Sequence, residues 1–142
     1  MSDIHENNNK IKMHIRFLIS SDKDDFDTDI ITQVLDLKPT KCYKKGELIF
    51  PDATVKYKHT GWVLGIKTIE SIDASDEISK LLNILMPKER EVRELCFRYS
   101  LDIELGCIIY IHEQTPVLNF SRKMIEQIDR LNASLDIDIM LV

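Results

Sequence analysis

Apolar and polar side chains alternate along KIKMHIRFLIS, residues 10–20 of the chain. The apolar positions that would share one face are Ile11, Met13, Ile15, Phe17 and Ile19; the opposite face would carry Lys12, His14, Arg16 and Leu18. A period of two is typical of a β-strand with one buried face, because successive side chains point to opposite sides. Residues 101–111 and 135–141 alternate in the same way, the latter with Ile137, Ile139 and Leu141 inward. The chain is therefore predicted to form a sheet with one face in the core.

Three other segments carry apolar residues at helical spacing. Their apolar positions are Ile30, Ile31, Val34, Leu35 and Leu37; Ile78, Leu81, Leu82 and Leu85, continued beyond Pro87 by Val92, Leu95, Cys96 and Tyr99; and Met124, Ile125, Ile128 and Leu131. The predicted helix caps are Asp27 or Thr28, Ser75 and Ser121. The order of elements predicts an α+β fold, with the helices on one face of a mostly antiparallel sheet. A ferredoxin-like β-α-β-β-α-β sandwich with an added helix and C-terminal strand describes this order most economically.

Residues 41–60 are weakly patterned and fit either short strands around Pro51-Asp52 or an ordered loop. The segment GWVLGIK that follows is a clearer strand, with Trp62 in phase with Leu64 on its inward face. Trp62 could fill the core or make a partly exposed contact. Its position on the same strand face as Leu64 favours core filling. The Thr60-Gly61 pair before it is a candidate β-bulge.

Composition restricts the class of protein. The length of 142 residues and the low content of Gly and Pro, four of each, predict one domain over residues 11–142. Residues 1–10 are predicted to form a flexible polar tail before it. The net charge of −5 argues against a nucleic-acid partner. No apolar run approaches the roughly 20 residues that span a bilayer, and the start lacks a secretory signal, so the expected location is the cytoplasm, away from the membrane.

No set of residues in the sequence carries a recognisable catalytic or cofactor-binding signature. The three cysteines, at positions 42, 96 and 107, have neither disulfide nor zinc spacing. A cluster of His14 and His112 with Glu104, Asp136 and Asp138 is conceivable on the outward sheet face. Cross-strand pairing of Lys12, His14 and Arg16 with Asp102 and Glu104 is the favoured alternative. We therefore predict no catalytic residues, no metal and no cofactor.

One basic stretch, KPTKCYKK, stands out against the acidic background. The simplest interpretation is a solvated loop that balances the acidic chain. The alternative is a binding surface, with Lys41, Lys44, Lys45, His59 and Trp62 as its candidate residues.

The ordered set of motifs resembles a known family. It comprises DFDTDIITQVLDLKPTKCYKKGE, then TGW at residues 60–62, a long leucine-bearing helix, a strand, and a last helix before the DIDI strand. From about Met13 to the end, the chain resembles a bacterial family named domain of unknown function 4279. The resemblance implies a small cytosolic α+β domain with no established activity, and the lysine-rich KCYKK departs from the family pattern. It implies no functional residues.

The function that these observations favour is a non-enzymatic module that binds another protein, in the manner of a bacterial immunity protein. A small-ligand sensor is the alternative, and an enzyme of unrecognised type is the least favoured reading. A homodimer formed through an exposed strand edge, or through apolar sheet residues such as Leu18 and Ile108, also fits the pattern.

Overall fold

A five-stranded sheet forms the body of the protein in a computed structural model, which describes residues 11–142 except for the side chains at positions 66 and 67. The strands are β1 (Lys12–Ser21), β2 (Lys41–Tyr43), β3 (Thr60–Glu70), β4 (Asp102–Ile111) and β5 (Ala133–Leu141). They lie in the order β2-β3-β1-β4-β5. The predicted tail, residues 1–10, lies outside the described residues.

The sheet is mostly antiparallel, as predicted. β1 is central and antiparallel to both β3 and β4, and β2 is antiparallel to β3. β5 is parallel to β4, because the helix between them returns the chain to the end at which β4 began. The sheet is therefore mixed, and the finer ferredoxin-like assignment stays a prediction.

Four helices connect the strands: α1 (Asp29–Leu35), α2 (Ala74–Leu85), α3 (Glu89–Tyr99) and α4 (Arg122–Arg130). The long helical segment predicted around Pro87 is split there by a turn of 3₁₀ helix, Met86–Lys88. Proline suits this place because its ring fits a first turn and it needs no backbone donor there. The sequence pattern thus predicted both halves and the break between them.

One of the three predicted caps, Ser75, needs correction. Ser121 caps α4 as predicted, with its hydroxyl accepting from the backbone N–H of Met124 at 3.2 Å. The cap of α2 is Asp73 rather than Ser75: an Asp73 carboxylate oxygen accepts from the N–H of Asp76 at 3.0 Å.

Ser75 has a different partner, and α1 begins after Thr28. The Ser75 hydroxyl accepts instead from the backbone N–H of Asn119, which ties α2 to the segment before α4. Thr28 stands at the N-cap of α1 without a side-chain cap bond. The carboxylate of Asp27 accepts from the N–H of Asp29 at 3.0 Å. Ser75 sits only two residues beyond the true cap, a shift that sequence pattern cannot resolve.

The core lies between the helices and one face of the sheet. The predicted inward residues of β1, from Met13 to Ile19, are at most 1% exposed. Trp62 is fully buried in the same cluster, and its indole N–H donates to the Thr32 hydroxyl of α1 at 3.0 Å. Core filling by Trp62 is therefore confirmed, and the ring joins the sheet to α1.

The structure differs from the sequence pattern at several positions. The register of the β1–β3 pairing shifts between Met13 and Ile15, where β3 carries one more residue than β1, rather than at Thr60-Gly61. Leu18, predicted outward, is 7% exposed. Ile125, Ile139 and Leu141, predicted inward, are 57%, 50% and 77% exposed because no described element covers them.

Candidate functional site

Residues 44–59 form an irregular hairpin that leaves the sheet between β2 and β3. The backbone N–H of Gly46 donates to Tyr57 O and that of Tyr57 donates to Glu47 O, both at 2.9 Å. An isolated bridge between Leu48 and Lys56 continues the pairing. Gly46 has φ +90°, a conformation that favours glycine. Of the two alternatives for residues 41–60, the structure has a short strand, β2, followed by this 44–59 hairpin.

An aromatic cluster anchors the base of the 44–59 hairpin. The rings of Tyr43 and Tyr57 stack with centroids 3.9 Å apart and planes 13° from parallel. The Tyr43 hydroxyl lies 3.3 Å from His59 Nε2, and Lys41 donates to the Tyr57 hydroxyl at 3.0 Å. Burial raises the pKa of the Tyr43 hydroxyl, an effect that nearby Arg16 partly offsets. The base is therefore fixed by ring stacking and hydrogen bonds.

Gly61 makes room for this cluster. Tyr43 and Gly61 face each other across β2 and β3, and a Cβ on Gly61 would overlap the Tyr43 ring. The glycine thus marks a close approach of an aromatic ring to the strand rather than a bulge.

The far end of the 44–59 hairpin exposes three large apolar side chains. Phe50 is 67% exposed, Val55 58% and Leu48 45%. Four lysines in the hairpin (44, 45, 56 and 58) against the carboxylates of Glu47 and Asp52 leave a local charge of +2, from 4 − 2, in a chain of net charge −5. Exposed apolar side chains surrounded by lysines are typical of an interaction surface.

The structure brings together four of the five predicted site residues. Lys41, Lys44 and Lys45 are exposed, and His59 is half-buried beside them. Lys45 is held at the base of the hairpin: its ammonium lies 3.0 Å from a carboxylate oxygen of Asp24 and donates to Asp22 O at 2.9 Å. Trp62 lies apart in the core and offers no exposed surface.

Sequence reasoning missed the apolar tip. The signal was present, because Leu48-Ile49-Phe50 precedes the Pro51-Asp52 turn. An apolar run beside a turn is equally typical of a buried strand, so the pattern alone does not reveal exposure.

The open face of the sheet carries a second set of polar groups. Arg16 of β1 pairs with Glu104 of β4 across the strands, with Nη2 to Oε1 at 3.6 Å. This is one pair of the cross-strand set that was favoured over a metal cluster. Next to it, a recess of about 510 Å³ is bordered mainly by polar side chains, among them Ser20, Asp22, His59, Asp102, Glu104 and Ser134.

Within residues 11–142, no group of three or more His, Cys, Asp or Glu side chains is arranged to hold a metal ion. Cys96 and Cys107 are buried, and burial raises the pKa of both thiols, that of Cys107 to about 11. Both thiols are therefore protonated near neutral pH, a state that is poorly nucleophilic. Cys42 is exposed on β2.

Comparison with known proteins places the chain in a family without assigning it an activity. The model of the family described as domain of unknown function (DUF4279) matches residues 9–142. No curated protein and no solved structure matches the chain. No helix in the described part of the chain has both the length and the apolar character needed to cross a bilayer.

Proposed function

This chain belongs to the family described as domain of unknown function DUF4279, and we propose that it is a non-enzymatic, cytoplasmic module that binds another protein through the 44–59 hairpin. The observation that carries the proposal is the exposure of Phe50, 67%, on a segment whose base is fixed. Single exposed apolar side chains are ordinary, but Phe50 shares the hairpin with exposed Leu48 and Val55, and a group of this kind is typical of a binding surface.

The anchored base favours tight binding by the tip. Stacking of Tyr43 on Tyr57 and the bonds from Lys41 and Lys45 hold both ends of the hairpin. The tip therefore loses less conformational entropy when a partner binds than a free loop would. Phe50 is the natural anchor, with Leu48 and Val55 completing the apolar contact.

The charge around the tip defines the partner's surface. Exposed lysines at positions 44, 56 and 58 flank the apolar side chains. A complementary partner would present an apolar recess with carboxylates at its rim, since rim charges govern orientation and association rate. An immunity-type role, in which the partner is a toxin, would require such a surface on the toxin.

A matched pair of variants tests this proposal. Phe50→Ser removes the proposed anchor, whereas Phe97→Ser removes a side chain that is 93% exposed on α3, far from the hairpin in sequence. Tagged wild-type protein, expressed in the native host, is captured with its partner, and the bound fraction is measured by quantitative mass spectrometry. Loss of an anchor of this kind should weaken binding by about 2 kcal/mol or more, roughly 30-fold.

The expected result is that one protein is retained by the wild type and by Phe97→Ser and is lost with Phe50→Ser. Reversal of charge in Lys44→Glu/Lys58→Glu should slow association and make it less dependent on salt. Equal recovery by all variants, or no specific partner, would exclude the hairpin as the binding surface.

A small-ligand sensor is the second candidate, and the polar recess on the open face favours it. Three of its bordering side chains, Asp22, Asp102 and Glu104, are carboxylates, so amines and other cations are the ligand class to test. A thermal-shift panel of amino acids and polyamines should include a compound that raises Tm in the wild type but not in Glu104→Gln. A flat response across the panel would remove this candidate.

A further inference from the structure

The outer strand of the sheet, β5, exposes an apolar surface that its neighbour β4 does not. Exposed large side chains follow one another along it: Leu135 38%, Ile139 50%, Met140 50%, Leu141 77% and Val142 63%. Their counterparts on β4, such as Leu105 and Ile109, are fully buried. The helices therefore cover the centre of the sheet and leave this edge open.

Among residues 11–142, no strand pairs with the backbone of β5 on its outer side. The backbone N–H of Val142 points toward β4, because it donates to Ile111 O at 2.9 Å. Along a strand, the backbone N–H and C=O groups of successive residues point alternately toward one neighbouring strand and toward the other side. The odd-numbered residues Leu135, Ile137, Ile139 and Leu141 therefore direct their N–H and C=O groups away from β4. β5 ends the strand order, so no strand of the described chain lies beyond it.

The two edges of the sheet differ. β2, at the opposite edge, is three residues long, whereas β5 has nine. A long apolar edge strand promotes association unless it is covered or interrupted by charge. Asp136 and Asp138 interrupt the pattern only on the open face, and the helix-side row of Ile137, Ile139 and Leu141 contains no charge.

We propose that β5 of a second copy of this chain pairs with it, antiparallel and about a two-fold axis at Ile139, to form a continuous ten-stranded sheet. A two-fold edge interface uses the same surface on both copies, so apolar rows meet apolar rows. The dimer forms independently of the 44–59 hairpin, which lies at the other edge of the sheet.

The two aspartates select the register. If the axis passed through Ile137, Asp136 of each copy would face Asp138 of the other copy. If the axis passed through Asp138, the two copies of that residue would face each other. Like charges directly opposite each other destabilise a strand pair. With the axis at Ile139, Asp138 faces Met140 and Asp136 faces Val142, and no carboxylates are directly opposed.

This register also uses the outward backbone groups. Ile139 faces its own copy, and Ile137 faces Leu141 on the helix side. These positions are the ones whose N–H and C=O groups point outward, so their pairing satisfies both hydrogen bonding and burial of the exposed side chains.

The first test is the oligomeric state of the full chain by sedimentation equilibrium, from about 1 to 200 µM, the range in which weak dimers dissociate. The wild type should be a dimer at the upper end. Ile139→Pro should raise the dimer Kd about 30-fold or more, because it removes the two central hydrogen bonds. The fold should survive, since proline is tolerated where a strand N–H faces outward.

Two controls keep this result interpretable. Phe97→Ser removes an apolar side chain that is more exposed than Ile139, 93% against 50%, and should leave the Kd unchanged. Ile139→Lys places like charges at the axis and should give a folded monomer. It serves as the second test in case Ile139→Pro does not fold. A monomeric wild type at 200 µM, or a dimer unaffected by both Ile139 variants, would overturn the proposal.

The register is tested by disulfide formation in a Cys42→Ser background, which removes the exposed thiol. In a hydrogen-bonded antiparallel pair the Cα atoms are about 5.5 Å apart, within disulfide range. Ile139→Cys should therefore cross-link under mild oxidation, and Ile137→Cys should not. Preferential cross-linking at position 137 would refute the register.

Discussion

Truncation of Trp62 is the sharpest test of the core. The side chain is fully buried, fills the space between β3 and α1, and donates its indole N–H to Thr32 at 3.0 Å. Phe and Trp truncations to Ala in cores cost about 3–5 kcal/mol, because transfer and cavity contributions add. A domain of this size is stable by about 5–15 kcal/mol, so Trp62→Ala should remove a large part of the total.

Trp62→Phe separates the ring from its hydrogen bond. It keeps most of the apolar contact and loses the N–H, so we expect a cost of about 1–3 kcal/mol. Thr32→Val in the wild type leaves the buried N–H without an acceptor, again at about 1–3 kcal/mol. In the Trp62→Phe background the same change should cost little, which gives a coupling energy of about 1–3 kcal/mol.

The assay is urea unfolding followed by far-UV circular dichroism. Fluorescence is unsuitable because Trp62 is the only tryptophan in the chain. The midpoint should fall with the slope m unchanged, which shows that stability rather than compactness has changed. A Trp62→Ala variant within about 1 kcal/mol of the wild type would refute the assignment of Trp62 to the core.

Three further predictions use the same measurement. Asp73→Ala should cost about 0.5–2 kcal/mol through loss of the α2 cap, whereas Asp73→Asn, which keeps a capping oxygen, should cost less; equal costs for the two variants would contradict the cap assignment. Gly61→Ala should displace the Tyr43 ring and cost about 1–3 kcal/mol, with exchange broadening of the hairpin amides in NMR spectra; unchanged amide spectra would argue against the packing of that ring on the strand. The pKa of the Cys107 thiol is raised in the fold to about 11 from an ordinary value of 9.0, so the folded state holds its proton longer and stability should fall as pH rises from 9 to 11. The loss should be at most about 2–3 kcal/mol, and Cys107→Ala should lose correspondingly less over that interval; equal pH slopes would show that this thiol does not contribute.

The amino-acid pattern determined which segments became strands and helices. The period of two in residues 11–19 and the helical spacing from Ile78 to Leu85 are local properties, because each follows from how one element presents side chains to a single apolar face. The same reasoning placed Trp62 inward, and its burial followed. The family resemblance, drawn from the order of these motifs, was likewise confirmed.

Pairing and coverage were decided by the tertiary structure. Alternation in β5 marks Ile139 and Leu141 as one face, but whether a helix lies over that face depends on α4, which is too short to cover it. The apolar tip around Phe50 was missed for the same reason, since exposure depends on neighbours distant in sequence. A sequence records which face of an element is apolar, and only the packing of all the elements decides whether that face is buried or left for a partner.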